Sequence, residues 1–360
     1  MCASLRRRGH EVHVLCCAQP PMPHTAHWID PYGTPVSVIG RRWPPSWRDR
    51  IFALAVASHL LFRRYDAVYF LMQGLHVAFG LPAARIRRKP IIMKFSGSGI
   101  IASMTRSLIG RVELKALAAW ARPIMVLNEG MRAEAVNGGI DRQHLLWMPN
   151  PVDVDEFCPV SPEERLRLRG ELDLSPFASV ALFVGRLAPE KELPSLLSAF
   201  RRVVAAHPNA LLALVGDGPE QSLLRSCAEQ FGLTNHVRFV GRVPIEGVRR
   251  WLQASDVFTL VSSAEGFPCS LIEAMSAALP SVVSDIPANR QLISDGVHGI
   301  LVGVRNQEAL ASGILKLFAD PQLRSIMGGR ARQVILANYS TDKVVDRYES
   351  VLANVIGRDV

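Results

Sequence analysis

The chain has 360 residues, 49% of them apolar, with 24 Pro and 26 Gly; this is material for two α/β cores and excludes a disordered or fibrous protein. Its formal charge is +9, and the excess sits in one half: residues 1–155 carry about 20 Lys and Arg against about 10 Asp and Glu, while the remainder is near neutral. The six cysteines form no Cys-x-x-Cys pair and lie at metal-ligand spacing from no His, which excludes a zinc framework and points to a reducing, cytoplasmic compartment.

In chain order, residues 3–8 read as the tail of a helix closed by Gly9, leading into a strand at 11–17. A parallel sheet normally places another strand before such a helix, so the N-terminal domain is expected to lack its first strand. Cys16 and Cys17 read as core filling within the strand. No long apolar run follows Arg6-Arg7-Arg8, so no signal peptide is expected. The best membrane candidate, residues 51–62, contains His59 and is too short to span a bilayer. Further strands are predicted at 36–39, 67–71, 91–95, 124–127 and 145–148, with helices at 48–64, 107–121 and 129–136. This alternation predicts parallel sheets with helices on both faces.

The pattern breaks at Pro149-Asn150-Pro151-Val152-Asp153, a plausible inter-domain linker. Ser161-Pro162-Glu163-Glu164 then opens a helix as a capping box. A second series follows, with strands at 179–184, 211–215, 237–240, 257–260, 281–284 and 299–302. Its helices are predicted at 192–206, 219–231, 246–254, 270–278 and 306–319, and residues 321–356 read as two or three helices. The expected division is an N-terminal Rossmann-like acceptor domain at 1–155, a C-terminal Rossmann-like donor domain at 156–335, and a C-terminal helix at 336–360 packing back on the first domain.

Chemistry concentrates in the second series. Phe183-Val184-Gly185-Arg186-Leu187-Ala188-Pro189-Glu190-Lys191 leaves a strand and enters a helix, where α/β folds hold phosphates. Arg186 and Lys191 can neutralise a diphosphate there, one as a fork and one as a point charge; an ordinary turn with solvated charges is the alternative. Gly216-Asp217-Gly218-Pro219 and Phe239-Val240-Gly241-Arg242 close the next two strands, and each is equally readable as a plain turn. In Glu265-Gly266-Phe267-Pro268-Cys269-Ser270-Leu271-Ile272-Glu273, a loop carboxylate feeds a helix whose first amides favour an anion. Glu273 has two readings. Ser270 and Glu273 match a capping box; a carboxylate flanked by Leu271, Ile272, Ala274 and Met275 otherwise needs a specific partner such as ribose hydroxyls.

Taken in order, Gly185-Arg186, Glu190-Lys191, Gly216-Asp217-Gly218-Pro219, Phe239-Val240-Gly241 and Glu265-x7-Glu273 resemble glycosyltransferase family 4, the group 1 transferases of the GT-B fold. Pro149-Asn150-Pro151-Val152-Asp153 is similar to that family's Pro-Asn-Gly-Val-Asp linker, and Arg8-Gly9-His10-Glu11-Val12 to its first helix–strand junction. The resemblance implies two Rossmann-like domains with a cleft between them, and retaining transfer of a hexose-type sugar from a nucleotide-diphosphate donor without a metal or other cofactor. It implies that Gly185, Arg186 and Lys191 hold the diphosphate and that Glu273 holds the ribose. Glu265 would contact the transferred sugar, in a pocket lined by Gly266 and Phe267. Val240 and Gly241 would frame the base, with Ser270 and Leu271 at the helix start. Arg186, Lys191 and Glu265 would serve as catalytic groups, a metal being replaced by cations and a helix end.

Three positions depart from the pattern. The usual opening strand and Gly-rich loop are not found. Ser96-Gly97-Ser98-Gly99 stands where relatives place a His, leaving Ser96, Ser98 or Lys94 as substitutes. Glu192 follows Lys191 where relatives often have Gly. The implied acceptor is a glycan or lipid-linked molecule. Arg41-Arg42-Trp43-Pro44-Pro45-Ser46-Trp47-Arg48 and Arg85-Ile86-Arg87-Arg88-Lys89 can seat such a domain peripherally on an anionic membrane, or form a solvated face. Nucleic acid is not expected, because no recognition motif accompanies the charge. Rival readings are a non-catalytic or truncated nucleotide-sugar-binding subunit and a nucleotide-sugar epimerase. The absence of Gly-x-Gly-x-x-Gly after an early strand disfavours a dinucleotide oxidoreductase.

Overall fold

The computed structural model describes residues 2–17, 27–29, 33–39, 44–174 and 179–357. They divide into two compact units, residues 1–151 with 341–360, and residues 152–340.

The first unit contains helix α1 (Cys2–Arg7), strands β1 (Val14–Cys17), β2 (His27–Ile29) and β3 (Pro35–Ile39), and helix α2 (Pro45–Phe62). It continues through β4 (Val68–Phe70), α3 (Leu75–Ile86), β5 (Ile91–Lys94), α4 (Ile100–Thr105), α5 (Leu108–Trp120), β6 (Ile124–Val126), α6 (Glu129–Asn137) and β7 (Leu145–Trp147). Its strands form two sheets. One has the order β1-β3-β2, with β2 antiparallel; the other is the parallel series β4-β5-β6-β7. Among the described residues no strand joins β1 to β4. Consequently β1 is half-buried throughout; Cys16 packs with Val14 against the Val36 and Val38 core as expected, whereas Cys17 is not part of that cluster. The Cys16 and Cys17 thiols approach Ser37 O and Asp49 Oδ1 at 3.8 and 3.7 Å.

The alternation predicted every one of these strands except β2. It missed α3 and α4. Helix α3 carries Pro82 in its interior and has no polar face by sequence, so period and propensity both argued against it.

The second unit opens with α7 (Pro162–Glu171) and β8 (Ser179–Val184), followed by α8 (Leu193–Ala206), β9 (Ala210–Val215), α9 (Gln221–Gln230) and β10 (Val237–Gly241). Then come α10 (Ile245–Ala254), β11 (Val257–Leu260), α11 (Cys269–Ser276), β12 (Ser281–Ser284), α12 (Pro287–Arg290), β13 (Ile300–Val302), α13 (Gln307–Ala319) and α14 (Pro321–Asn338). One six-stranded parallel sheet results, in the order β10-β9-β8-β11-β12-β13. Every residue of β8, β9, β11 and β12 is buried, as strands covered on both faces must be. Ser161 caps α7 by accepting the Glu164 amide at 3.2 Å, but Glu164 turns its own carboxylate to Arg167, so only half of the box forms. Asp256, buried at the start of β11, accepts from the Val180 amide at 2.8 Å and pairs with Arg165 at 2.6 Å, which ties α7 to the sheet.

Helix α15 (Thr341–Ile356) belongs to the first unit. Its Val344 and Tyr348 join Ile92, Met125 and Met148 in one core. The units divide after Pro151 rather than 155, and the return begins at Thr341 rather than 336. Val152 lies beside Ser340 and donates its amide to Tyr339 O at 2.9 Å, which closes the second unit at its own two ends.

Candidate active site

Strands β8 and β11 are neighbours at the middle of the second sheet. The chain winds outward from β8 to β10, then restarts at β11 and winds the other way to β13. That reversal is a topological switch point, and doubly wound sheets bind ligands beyond the carboxyl ends of the strands at such a point. Two loops leave it. One runs from Gly185 into α8, the other from Val261 into α11.

The loops are stitched together by the predicted residues. Lys191 closes a 3-10 turn (Pro189–Lys191), and its Nζ lies 2.5 Å from Glu265 Oε1. Ser262 donates its hydroxyl to the same oxygen at 2.6 Å, and the Ser263 amide donates to Glu190 O at 2.9 Å. Lys191 and Glu265 are both largely withdrawn from solvent. The next residue, Glu192, occupies the left-handed region at φ 49°, ψ 35°, where a side chain is strained and Gly is not. Its carboxylate is gripped by Arg305 at 2.7 and 2.9 Å, which holds it below the usual carboxylate range.

A second pair of loops is fitted backbone to backbone. The Leu187 amide donates to Asp217 O at 2.8 Å, and the Glu220 amide donates to Leu187 O at 3.0 Å. Only glycine fits here. A Cβ on Gly216 would stand 1.9 Å from Gly185 O, and one on Gly218 would stand 2.3 Å from Leu187 O. These loops and the end of β10 enclose an open cavity of about 510 Å³, lined by residues including Gly185, Arg186, Asp217, Arg242 and Val243. Arg186 is exposed at its wall and makes no hydrogen bond or ion pair with any described residue. Asp217 and Arg242 pair across it at 3.1 Å; both stood in the quoted motifs without being singled out. Val240 falls at a β-bulge, since Phe239 pairs with Leu214 and Gly241 with Val215, leaving Val240 outside the ladder. Gly241 O accepts the Gly216 amide at 2.8 Å.

Helix α11 decides between the two readings of Glu273. Pro268, not Ser270, is the N-cap, and no side chain caps the helix, so the box does not form. The Glu273 carboxylate has no hydrogen bond or ion pair among the described residues. Burial, with a smaller repulsion from Glu156, pushes its carboxyl up to about 7. The helix start offers less to an anion than expected. The Cys269, Leu271 and Ile272 amides are spent on the carbonyls of Phe267 and Pro268, and the Ser270 amide is unbonded among the described residues. Leu271 is wholly buried, so its side chain belongs to the core. Phe267 is buried against Tyr339 with ring centroids 6.1 Å apart, and Gly266 beside it is half-buried.

In the first unit, Lys94 does not face an open site. It is buried, and its Nζ donates to Asn150 Oδ1 at 2.8 Å and to the Tyr348 hydroxyl at 2.9 Å. Ser96 and Ser98 are exposed on the following loop. Arg85 to Arg88 are exposed and Lys89 is half-buried, and Trp47 carries Arg50 over its ring at 5.6 Å. Arg41, Arg42 and Trp43 lie outside the described residues.

Two α/β units, each built on a parallel sheet flanked by helices, are the architecture of the GT-B class. Within it the profile described as glycosyl transferases group 1 matches residues 167–334, and the glycosyltransferase family 4 profile matches residues 1–156. The chain belongs to glycosyltransferase family 4. It is 27% identical over 212 residues to the GDP-mannose-dependent monoacylated alpha-(1-6)-phosphatidylinositol monomannoside mannosyltransferase of Corynebacterium glutamicum, covering 57% of this chain and 55% of that one. Alignment to the phosphatidyl-myo-inositol mannosyltransferase of Mycobacterium tuberculosis shows 28% identity over 380 residues, covering 98% and 89%. The chain thus spans about half the length of several curated relatives and most of others. Among solved structures, sucrose-phosphate synthase of Thermosynechococcus elongatus superposes with TM-score 0.81 at 18% identity, covering 99% and 92%. Anabaena HepE in complex with UDP-glucose gives 0.78 at 21%, covering 91% and 88%. At such identities the likeness is one of fold.

Proposed function

We propose that the protein is a retaining glycosyltransferase that moves a hexose-type sugar from a nucleotide-diphosphate donor to a glycan or lipid-linked acceptor. The observation that carries this reading is the Lys191–Glu265 pair at the β8/β11 switch point, its lysine on the same loop as Arg186, which walls the cavity. The diphosphate would lie between Arg186 and Lys191, which neutralise it without a metal. Glu273, half-buried and with its carboxylate unpaired among the described residues, would accept hydrogen bonds from the ribose hydroxyls; Glu265 would orient the sugar. In the transfer step the bond from the anomeric carbon to the diphosphate oxygen breaks. The acceptor oxygen bonds to that carbon on the same face, and its proton passes to the departing phosphate oxygen. The named lipid-linked and sugar-nucleotide relatives support this reading. So does the basic first unit, which suits a cytoplasmic enzyme working peripherally at an anionic membrane face.

The test is transfer from GDP-mannose and from UDP-glucose, with Arg186→Ala and Glu273→Ala compared with the parent. A loss of about 100-fold or more in kcat/KM is expected for each, the scale of removing one preorganised charge-stabilising group. Rates unchanged in both variants would overturn the assignment.

A further inference from the structure

Helix α5 has two opposed faces. Gly110, Glu113, Leu114 and Leu117 are buried, and this face is clamped in place: a Cβ on Gly110 would lie 2.3 Å from the Met104 carbonyl oxygen of α4. The outward face should be polar, because a helix on a protein surface shows its charged residues to water. Instead it presents Leu108 at 75% exposure, Ile109 at 58%, Val112 at 68% and Trp120 at 37%. Ala116 and Ala119 fall on the same side by helical spacing.

The charges along this face have one sign. Arg111 and Lys115 are exposed beside Leu108 and Val112, at spacings of three and four residues, and Arg106 is exposed one turn ahead. The acidic residue of α5, Glu113, is buried and accepts the Gly74 amide at 3.1 Å, so it leaves the basic border uncompensated. Three large apolar side chains within about one turn, edged by cations alone, have the composition of a helix lying in a bilayer interface. A second copy of this chain would bring the same cations against themselves.

We propose that the outer face of α5 inserts into an anionic bilayer, with Leu108, Ile109 and Val112 entering the acyl boundary and Arg106, Arg111 and Lys115 meeting lipid phosphates. The inference rests on the membrane-facing part of the function proposed above, but not on the donor chemistry. It differs from a purely electrostatic attachment through Arg85 to Lys89, because it requires apolar side chains to be withdrawn from water.

Co-sedimentation of the full chain with vesicles of phosphatidylcholine alone, and with a quarter of the lipid replaced by phosphatidylglycerol, tests it. The parent should bind the anionic vesicles at least tenfold more tightly. The triple variant Leu108→Ser, Ile109→Ser, Val112→Ser should lose at least tenfold of that binding while melting at an unchanged temperature, since these side chains touch little of the core. Leu108→Trp should show a blue-shifted emission with anionic vesicles that brominated lipid quenches. Full binding by the triple variant, with loss only in a variant carrying Gln at Arg85, Arg87, Arg88 and Lys89, would sink α5 insertion and leave membrane attachment standing. Failure of the parent to bind vesicles at all would sink both. A lipid-free dimer abolished by the triple variant would assign the face to a second copy and overturn the proposal.

Discussion

Lys191 Nζ and Glu265 Oε1 lie 2.5 Å apart, joining the loop after β8 to the loop after β11 where the sheet reverses its winding. The pair is stable without a ligand because each charge has the other. Under the proposed function, a diphosphate arriving there would compete with Glu265 for the lysine. Glu265→Gln is therefore expected to tighten binding of a free nucleoside diphosphate several-fold while sugar transfer falls by about two orders of magnitude. Lys191→Met should weaken both. Titration calorimetry beside a transfer assay separates these outcomes, and equal weakening of diphosphate binding in the two variants would contradict the arrangement.

Glu273 gives a pH dependence with a definite sign. Its folded carboxyl is raised from 4.5 to about 7, chiefly by burial. The fold therefore favours the neutral acid. That contribution to stability is full below about pH 4.5, declines as pH rises from there, and is gone once the folded carboxyl ionises above about 7. Glu273→Gln should match the parent near pH 5 and be more stable at pH 8, by on the order of 2 kcal/mol. Donor affinity should move oppositely, rising between pH 6 and 8 in the parent and staying flat in the glutamine variant. Parallel melting curves across pH would exclude a carboxyl poised in this way.

Gly216→Ala is expected to be severe, because its Cβ would sit 1.9 Å from the Gly185 carbonyl oxygen at φ +135°. Backbone on both sides leaves nothing to give way. A loss of about 2 kcal/mol or more in chemical unfolding is expected, together with loss of donor binding at the adjoining cavity. Gly232→Ala, with open space around its Cβ, is the control for the cost of a left-handed backbone alone.

Glu192 is strained by its left-handed backbone and compensated by Arg305. Glu192→Gly relieves the first and forfeits the second, so its stability should stay within about 1 kcal/mol of the parent. Glu192→Val keeps the strain, adds a β-branch and loses the pair; it should cost about 1–3 kcal/mol. Equal melting temperatures for the glycine and valine variants would show that the backbone conformation carries no penalty.

The alternation of apolar runs and helical patterns determined the α/β class and all but one strand, because burial on both faces of a parallel sheet writes itself into contiguous residues. The loops of the candidate site were legible for a similar reason: Gly216, Gly218, Lys191 and Glu265 are residue types that close approach or charge pairing demands. Whether Glu273 capped its own helix was not legible, since Ser270 and Glu273 have the right spacing for it, and only the placement of Pro268 at the N-cap excluded it. Nor was the exposure of Leu108, Ile109 and Val112, which read as core in any helical pattern; Gly110, Glu113, Leu114 and Leu117 took the inward face instead. The pairing of Lys94 with Asn150 and Tyr348 joins residues up to 254 positions apart. Periodicity reports a side chain's neighbours along its own element, whereas partners of this kind are set by how distant elements pack, and only the tertiary structure decides that.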